Sequence, residues 1–285
     1  MRWPRGVSRG PALPEGGWPA QRILLTGASG GIGQALVDEF AAAGARLLVT
    51  GRRGDTLEAL VERHPGQVTA MTADLTRPKD RAALIGAAAS AGCNMLVNAA
   101  GVNRVGLFES CSDEALERLI TLNLTATLQL TRALMPTLLA ARHGWVVNLG
   151  STFGTIGYPG QVGYCATKFA LRGFSQALRR ELADTRVRVL HVSPRATRTA
   201  MNAPKVEAMN QALGNAMDTP ARVASAVRHA IEHGREETQL GGPERLFTRL
   251  NSLLPSLVDR ALARQLPVIR RFVATPGEAA PHDTP

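Results

Sequence analysis

The chain of 285 residues contains little lysine and few aromatic residues. Its lysines are Lys79, Lys168 and Lys205, so the formal charge of +10 comes almost entirely from arginines scattered along the chain. A basic surface attracts phosphate-bearing partners, but aromatic residues make up only 4% of the chain, too few for an obvious base-stacking surface. We therefore expect a basic protein that does not bind nucleic acid.

Cysteine and long apolar runs are scarce as well. Cys93, Cys111 and Cys165 are odd in number, widely spaced and in no metal-ligand pattern, which argues against a disulfide framework and a metal site. No apolar run reaches the length of about 18 residues that a membrane-spanning helix needs, and the N-terminus lacks the apolar core of a signal peptide. These absences predict a cytoplasmic protein with reduced thiols and no metal.

Short runs of β-branched residues and leucine alternate with longer, alanine-rich amphipathic stretches, a pattern typical of βαβ units and a parallel sheet. The predicted strands are 22–26, 45–50, 67–71, 94–98, 144–150, 186–192 and 236–240. The predicted helices are 31–43, 54–63, 77–91, 112–142 (as two helices), 162–184 and 219–233. Nearly continuous apolar strands are expected when helices cover both faces of a sheet. We predict an α/β fold: one doubly wound, Rossmann-type domain over residues 21–242 with a parallel seven-stranded sheet.

The two ends of the chain differ from this domain. Residues 1–20 are rich in proline, glycine and arginine and predict a disordered leader, and residues 274–285 predict a disordered tail. Residues 243–273 predict an amphipathic, basic helical extension, with six arginines against Glu244 and Asp259. Such an extension packs on its own domain or on another subunit, the interpretation we favour, or lies on an anionic membrane or over a lipid-substrate entrance.

A glycine-rich turn joins the first predicted strand to the first predicted helix. It reads Gly27-Ala-Ser-Gly-Gly-Ile-Gly33. A pyrophosphate can sit on a helix N-terminus, where free N–H groups and the positive end of the dipole lie, only if no side chain blocks the backbone. Gly27, Gly31 and Gly33 supply that clearance, so the turn predicts a dinucleotide site.

The end of the second predicted strand bears on the choice of cofactor. A carboxylate there would hydrogen-bond the adenosine ribose of NAD, whereas a basic residue would accept the 2′-phosphate of NADP. The chain has Arg52 and Arg53 at this point, and Asp55 comes later. Because a planar guanidinium matches phosphate, NADP is favoured over NAD.

Ser151, Tyr164 and Lys168 form the predicted catalytic group. Ser151 ends a predicted strand, and Tyr164 and Lys168 are four residues apart on the next predicted helix, so both face the same way. A tyrosine with a pKa near 10 is a poor acid–base group at neutral pH unless a nearby cation stabilises its phenolate. Lys168 is placed to supply that cation.

With these motifs the chain resembles the short-chain dehydrogenase/reductase family, in its compact single-domain branch, over about residues 21–242. The resemblance implies a fourth catalytic residue, Asn123, which would hold a water that links Lys168 to solvent. It also implies that Tyr164 protonates a carbonyl oxygen while hydride arrives, and that Ser151 holds the developing oxyanion. The cofactor contacts that it implies are Gly27, Ser29, Gly31, Ile32, Gly33, Asp74, Asn98, Ala99, Gly101, Tyr164, Lys168, Pro194 and Thr199.

One position departs from the family pattern: Arg195 stands after Pro194 where the family usually has glycine. Because glycine permits unusual backbone angles or close approach, we expect the loop on the nicotinamide side to be rearranged. The following segment, about 195–220, sets substrate choice in this family. Its apolar residues favour an apolar or lipid-like substrate, although core packing explains them equally well. They are Met201, Met209, Leu213 and Met217.

The sequence thus predicts an NADP(H)-dependent oxidoreductase that interconverts a ketone or aldehyde and an alcohol. A 3-oxoacyl-[acyl-carrier-protein] reductase is the nearest alternative, because a basic surface could bind an acidic carrier. A catalytically idle NADP-binding sensor or scaffold, and a peripheral membrane protein that depends on its C-terminal extension, are the alternatives of other classes. We expect a homo-dimer or homo-tetramer that acts on a small molecule.

Overall fold

A central sheet organises the molecule. The computed structural model describes residue 13, residues 16–200 and residues 204–273. Its strands are β1 (Arg22–Thr26), β2 (Arg46–Gly51), β3 (Val68–Thr72), β4 (Met95–Asn98), β5 (Gly144–Leu149), β6 (Val187–Ser193) and β7 (Glu237–Gln239). They pair in parallel in the order β3-β2-β1-β4-β5-β6-β7. The predicted doubly wound, seven-stranded parallel sheet is confirmed.

Helices connect the strands and cover both faces of the sheet. They are α1 (Gly31–Ala42), α2 (Gly54–Arg63), α3 (Pro78–Ser90), α4 (Asp113–Ile120), α5 (Ala126–Ala140), α6 (Val162–Glu181), α7 (Pro204–Ala212), α8 (Pro220–Glu232), α9 (Gly242–Leu253) and α10 (Pro255–Val273). The apolar sides of α1, α2 and α8 pack in one core cluster, and those of α3 and α5 pack in a second.

Successive residues of a strand point to opposite faces, so a strand between two helix layers needs apolar residues in both registers. In β1, Ile23 and Leu25 pack into one core cluster and Leu24 into the other. In β4, Val97 and Leu96 divide in the same way. This two-sided burial explains why the strand sequences are nearly continuous apolar runs.

The segment predicted as two helices over 112–142 is one helical stretch with a change of winding. α4 begins after Ser112, whose hydroxyl accepts a hydrogen bond from the Ala115 N–H at 3.3 Å. Residues Thr121–Thr125 then form a π-helical turn, and α5 follows without a break. The π-helical turn contains Asn123, and such turns are frequent at functional sites.

Packed structure at the N-terminal end begins before residue 21, where the folded domain was predicted to start. A disordered leader was expected over residues 1–20, but Trp18–Ala20 form a 3-10 helix. The Trp18 ring is buried and stacks on Phe40 at 5.1 Å between ring centroids. Its indole N–H donates to Glu232 at 2.9 Å. Residues 1–12, 14 and 15, and the predicted tail at 274–285, lie outside the described residues.

The C-terminal extension consists of two helices that pack on their own domain. In α9 and α10, Leu250, Val258 and Leu262 contact Ile156 and its neighbourhood. Further along α10, Ile269 and Val273 pack with residues of α7. This arrangement agrees with the favoured interpretation of the extension as a packing element. Among the described residues no helix is both long and apolar enough to span a bilayer.

Candidate active site

The glycine turn, residues 27–33, lies between the carboxyl end of β1 and the N-terminus of α1. Gly27 has a φ of 72°, and a Cβ there would lie 2.7 Å from the Ala100 backbone. A Cβ at Gly31 would lie 2.9 Å from Thr199 Cγ2. Gly30 precedes α1 and provides no capping side chain, so the first N–H groups of α1 have no side-chain partner from the N-cap. This clearance over a bare helix N-terminus fits the diphosphate of a dinucleotide.

Basic residues gather beside the glycine turn at the end of β2. The guanidinium of Arg53 donates to the backbone carbonyl of Ser29. Asp74 accepts hydrogen bonds from the Thr76 N–H at 2.9 Å and the Thr76 hydroxyl at 2.7 Å. Burial acts to raise the pKa of Asp74, but these bonds and the charge of Arg52 outweigh it, so that the pKa is lowered. Arg52, Arg53 and Asp74 are therefore charged groups around one end of the predicted site.

The turn after β4 is fixed to β1. The Thr26 hydroxyl accepts hydrogen bonds from the N–H groups of Ala99 at 3.1 Å and Ala100 at 3.2 Å. Asn98, predicted to contact the cofactor, is buried, and its Nδ2 donates to Asn148 Oδ1 at 2.9 Å and to Thr131 Oγ1 at 3.2 Å. Both amide protons are thus used within the protein. The side chain of Asn98 joins neighbouring elements, and the contact predicted between this residue and the cofactor stays a prediction.

A chain of buried polar residues continues behind the site from Asn148, and sequence reasoning missed it. Asn148 Nδ2 donates to Ser175 Oγ at 2.9 Å, and Ser175 lies 3.2 Å from His191 Nδ1. Burial lowers the pKa of His191 to about 4, so the imidazole is neutral at ordinary pH. No short-range pattern marks these residues, because α6 and the neighbouring strands β5 and β6 bring them together.

Ser151, Tyr164 and Lys168 come together between the end of β5 and the first turns of α6. Ser151 Oγ accepts a hydrogen bond from the Phe153 N–H at 3.1 Å and also hydrogen-bonds the Tyr164 phenol. Lys168 Nζ lies 5.6 Å from the centroid of the Tyr164 ring and donates to the Leu149 carbonyl at 2.9 Å. The predicted spacing therefore places the three side chains in one group, in which Lys168 is buried and Ser151 and Tyr164 are partly buried.

Burial dominates the electrostatics of this group, and the stabilisation of a Tyr164 phenolate by Lys168 stays a prediction. Burial raises the pKa of Tyr164 to about 12, and the opposing influence comes from the hydrogen bond with Ser151. Burial also lowers the pKa of Lys168 to about 8. Because both side chains are removed from water, the charged form of each is disfavoured. The tyrosine is consequently a protonated phenol at neutral pH.

Asn123 lies in the π-helical turn beside Lys168. Its Oδ1 accepts from the Val102 N–H at 2.8 Å, and its Nδ2 donates to the Val102 carbonyl at 2.9 Å and to Thr167 Oγ1 at 3.3 Å. A Cβ at Gly101 would lie 3.2 Å from Asn123 Oδ1 and 3.8 Å from Lys168 Nζ. The side chain thus holds the loop after β4 against the predicted catalytic group, and the water expected at Asn123 stays a prediction.

Arg195 connects three parts of the chain, and we call Arg195, Asp218 and Glu244 the Arg195 cluster. The guanidinium lies 2.8 Å from Asp218 Oδ1 and 3.4 Å from Glu244 Oε1. Asp218 is only 3% exposed, and its backbone also bonds the loop through Arg198 N and Ala196 O. The departure from glycine therefore ties the loop after β6 to the start of α9. The partners are 23 and 49 residues away, so sequence spacing did not reveal them.

An apolar cavity of about 430 Å³ opens between the start of α6 and α10, and Ser151, Tyr164 and Lys168 are not among the residues that line it. It is lined by Tyr158, Val162 and Cys165 on one side and by Leu262 and Leu266 of α10 on the other. Of the residues predicted to bind substrate, Met209 and Leu213 pack with α10, and Met201 lies outside the described residues. Met209 and Leu213 are therefore core residues, which agrees with the alternative interpretation of this segment.

The described residues contain a group of His229, Glu232 and His233 whose ligand atoms lie within 4.8 Å of one another. Glu232 Oε1 already accepts hydrogen bonds from Trp18 and from Arg228. The group lies at the last turn of α8, whereas the first residue of that helix, Pro220, is near Gly31. Glu232 of this group therefore also serves the packing of the N-terminal segment.

Comparison with known proteins identifies the family. Residues 21–210 match the family model described as short chain dehydrogenase, so the chain belongs to the short-chain dehydrogenase/reductase family. Proteins of this family bind a nicotinamide cofactor and a small-molecule substrate, and generally form oligomers. The chain is accordingly an oxidoreductase.

Individual relatives agree with this assignment. The chain is 37% identical over 217 residues to nodulation protein G of Rhizobium sp. (strain N33), which covers 73% of this chain and 88% of that protein. It is 33% identical over 173 residues to the 3-oxoacyl-[acyl-carrier-protein] reductase FabG of Escherichia coli (strain K12), which covers 60% and 71%. A short-chain dehydrogenase from Streptomyces avermitilis has a similar structure, with a TM-score of 0.74 and 31% identity, covering 86% and 98%.

Proposed function

We propose that the protein is an NADP(H)-dependent reductase of an apolar ketone or aldehyde. The observation that carries this proposal is the grouping of Ser151, Tyr164 and the buried Lys168 at the same edge of the sheet as the glycine turn. The carboxyl end of a doubly wound sheet is where such folds bind their ligands.

The proposed chemistry divides among the residues of the site. A nicotinamide, when bound, supplies the hydride. Tyr164 donates its phenolic proton to the carbonyl oxygen, and the Ser151 hydroxyl donates a hydrogen bond to the same oxygen as negative charge develops there. Lys168 is placed to stabilise the resulting phenolate. Because the pKa of Tyr164 is about 12, the phenol is protonated at neutral pH. This supports carbonyl reduction as the working direction.

The proposed preference for NADP rests on Arg52 and Arg53. A 2′-phosphate would accept hydrogen bonds from these guanidinium groups beside Ser29, whereas the ribose of NAD offers only hydroxyls. We expect Arg52→Ala/Arg53→Ala to raise the KM for NADPH by about 10–100-fold, the loss of one or two charge-assisted bonds. The KM for NADH should change little. An equal loss with both cofactors would contradict the assignment.

The proposed substrate class rests on the apolar cavity between Tyr158 and α10. A cavity of this size can hold a small aliphatic or aromatic molecule. The test is the rate of NADPH and NADH oxidation with a panel of steroid, aromatic, acyl-thioester and sugar carbonyls. The highest kcat/KM is expected with NADPH and an apolar carbonyl. Turnover of sugar carbonyls alone would contradict this substrate class.

A second candidate function is reduction of a 3-oxoacyl thioester on an acyl-carrier protein. The observation that favours it is the similarity to FabG of Escherichia coli over 173 residues. The basic charge of the chain would also attract an acidic carrier. A comparison of one 3-oxoacyl group on a carrier protein and on a short thiol separates the two candidates. A large advantage of the carrier-bound form supports the second.

The localisation and the oligomeric state of the protein are proposals as well. We propose a cytoplasmic homo-dimer or homo-tetramer, since members of this family generally form oligomers. Sedimentation of the purified chain tests this. A sensor that binds NADP without turnover is less well supported, because the chain retains Ser151, Tyr164 and Lys168 together.

A further inference from the structure

We propose that the joint between α9 and α10 is a docking face for an anionic lipid surface. The joint carries exposed leucines: Leu246 is 70% exposed, Leu253 78%, Leu254 50% and Leu257 46%. They are among the most exposed large apolar side chains of the described residues. Large exposed apolar groups that lie close together mark interaction sites rather than ordinary surface.

The helices present these leucines on the side opposite to their packed side. In α9, Leu246 and Leu253 are seven residues apart and share one side, while Phe247 and Leu250 pack against the domain. In α10, Val258, Leu262, Ile269 and Val273 are buried. The leucines at the joint are therefore not needed to hold the extension on the domain.

Exposed arginines lie beside the leucines on both helices, and Asp259, two residues after Leu257, is the exposed acidic residue near them. Arg249 lies three residues after Leu246 and four before Leu253, on the same side of α9. Arg260 lies three residues after Leu257 on α10, and both arginines are exposed. Of the two acidic residues in the extension, Glu244 belongs to the Arg195 cluster and Asp259 lines the apolar cavity. The face is consequently apolar at its centre and positive around it.

A lipid surface fits this face better than a second copy of the chain does. A two-fold interface would bring the same patch of each copy together, and so would place two surfaces of the same net positive charge in contact. An acidic protein surface would neutralise the arginines, but it would not bury the exposed leucines. The boundary of an anionic bilayer accepts both, because leucines enter the acyl region and arginines contact phosphate headgroups.

Vesicle sedimentation with the full chain tests this face without cofactor or substrate, so its result is independent of the proposed reaction. We expect at least about tenfold more binding to phosphatidylcholine/phosphatidylglycerol vesicles than to pure phosphatidylcholine, since each arginine near an anionic surface contributes about 1 kcal/mol. Raising the salt from about 0.05 M to about 0.5 M should reverse most of this preference.

Variants separate the docking face from other surfaces. Leu253→Gln/Leu257→Gln should lower vesicle binding at least about fivefold, and Arg249→Gln/Arg260→Gln should remove the preference for anionic vesicles. The matched control is Leu139→Gln, an exposed leucine on α5, which should bind as the unchanged chain does. Turnover of a water-soluble ketone should be the same in all variants.

Two results would overturn the proposal. One is equal sedimentation of the unchanged chain and Leu253→Gln/Leu257→Gln with anionic vesicles. The other is a fall in oligomeric mass of that variant, measured by light scattering, because it would assign the leucines to contacts between copies of the chain.

Discussion

Tyr164 is the proposed proton donor of the site. Tyr164→Phe keeps the ring and removes only the hydroxyl, so we expect kcat to fall by about 10²–10⁴-fold while the affinity for NADPH changes less than about twofold. The measurements are NADPH oxidation at saturating ketone and a fluorescence titration of the cofactor.

The chain offers a matched control for this change. Tyr158 is the other tyrosine, and its hydroxyl contacts Gln265 Oε1 at 3.3 Å. Because Tyr158 lines the proposed substrate cavity, the comparison is made on kcat at saturating ketone, which Tyr158→Phe should retain within a few-fold. Full turnover by Tyr164→Phe, or an equal loss in both variants, would refute the assignment of Tyr164 as the acid.

Lys168 carries a charge that burial disfavours in the folded chain. Its folded pKa of about 8 lies below the ordinary lysine value, so the unfolded chain binds this proton more tightly. Below pH 8 the buried charge lowers the free energy of unfolding by its full amount. This destabilisation is lost as the pH rises from about 8 to about 10.4. We expect Lys168→Met to abolish turnover and to raise Tm by a few degrees at pH 7, with a smaller gain at pH 10.

Calorimetry at several pH values measures this effect, and Lys79→Met is the control because Lys79 is exposed on α3. A gain in Tm that does not change between pH 7 and pH 10 would mean that the effect of Lys168→Met has another origin than charge burial.

At the scale of elements, the Arg195 cluster joins the loop after β6 to α9. Arg195→Met leaves the nearly buried Asp218 with only the exposed Arg222 at 3.4 Å. Because an unpaired buried carboxylate is strongly destabilising, we expect the free energy of unfolding to fall by about 2–3 kcal/mol. The KM for the cofactor should rise, since Thr199 in this loop lies against Gly31.

Urea unfolding and steady-state kinetics measure the two effects. Arg198→Met removes an exposed arginine from the same loop and should change neither. Adding Asp218→Asn to Arg195→Met should restore part of the stability, because it removes the unpaired charge. No recovery in the double variant would show that packing of the Arg195 side chain matters more than its charge.

The 3-10 helix at Trp18 gives a prediction about the N-terminal segment. Trp18→Ala removes a buried ring that stacks on Phe40, and we expect it to lower the free energy of unfolding by about 3 kcal/mol. Trp18→Phe keeps the stacking and should lose less. Equal stability of all three chains in urea would mean that the segment is not part of the folded unit.

Strands and helices of the domain were predictable to within one or two residues for most elements, because burial between two helix layers makes the apolar pattern strong. Local structure without such a pattern was not. Trp18 lies in a proline- and glycine-rich stretch whose composition hides one buried ring. The π-helical turn at Asn123 changes the winding without a glycine or proline to mark it.

The candidate site was predictable where its residues are close in the sequence. Tyr164 and Lys168 are one helical turn apart, and the glycine turn is contiguous. The partners of Arg195 and the buried role of Asn98 depend on contacts between distant elements. The pKa of Tyr164 depends on burial, which the spacing of motifs does not report.

At the scale of the whole molecule, the formal charge of +10 is spread over arginines in several settings. Some, such as Arg172 and Arg228, pair with acidic residues on other elements. Others surround the joint of α9 and α10. Composition alone could not show which arginines form ion pairs and which lie on an exposed face. The same residue type occurs in ion pairs, in the Arg195 cluster and on the proposed docking face.

The order of the elements along the chain also sets the order in which they can fold during synthesis. The strands and the glycine turn precede α10, whose Ile269 and Val273 cover Val206 and Met209. At roughly 5–20 residues per second, α10 leaves the ribosome several seconds after β7. A nascent chain can therefore form its nucleotide-binding half while the apolar wall beside Tyr158 is still open to water. In that interval the apolar residues that Ile269 and Val273 later cover are exposed to water.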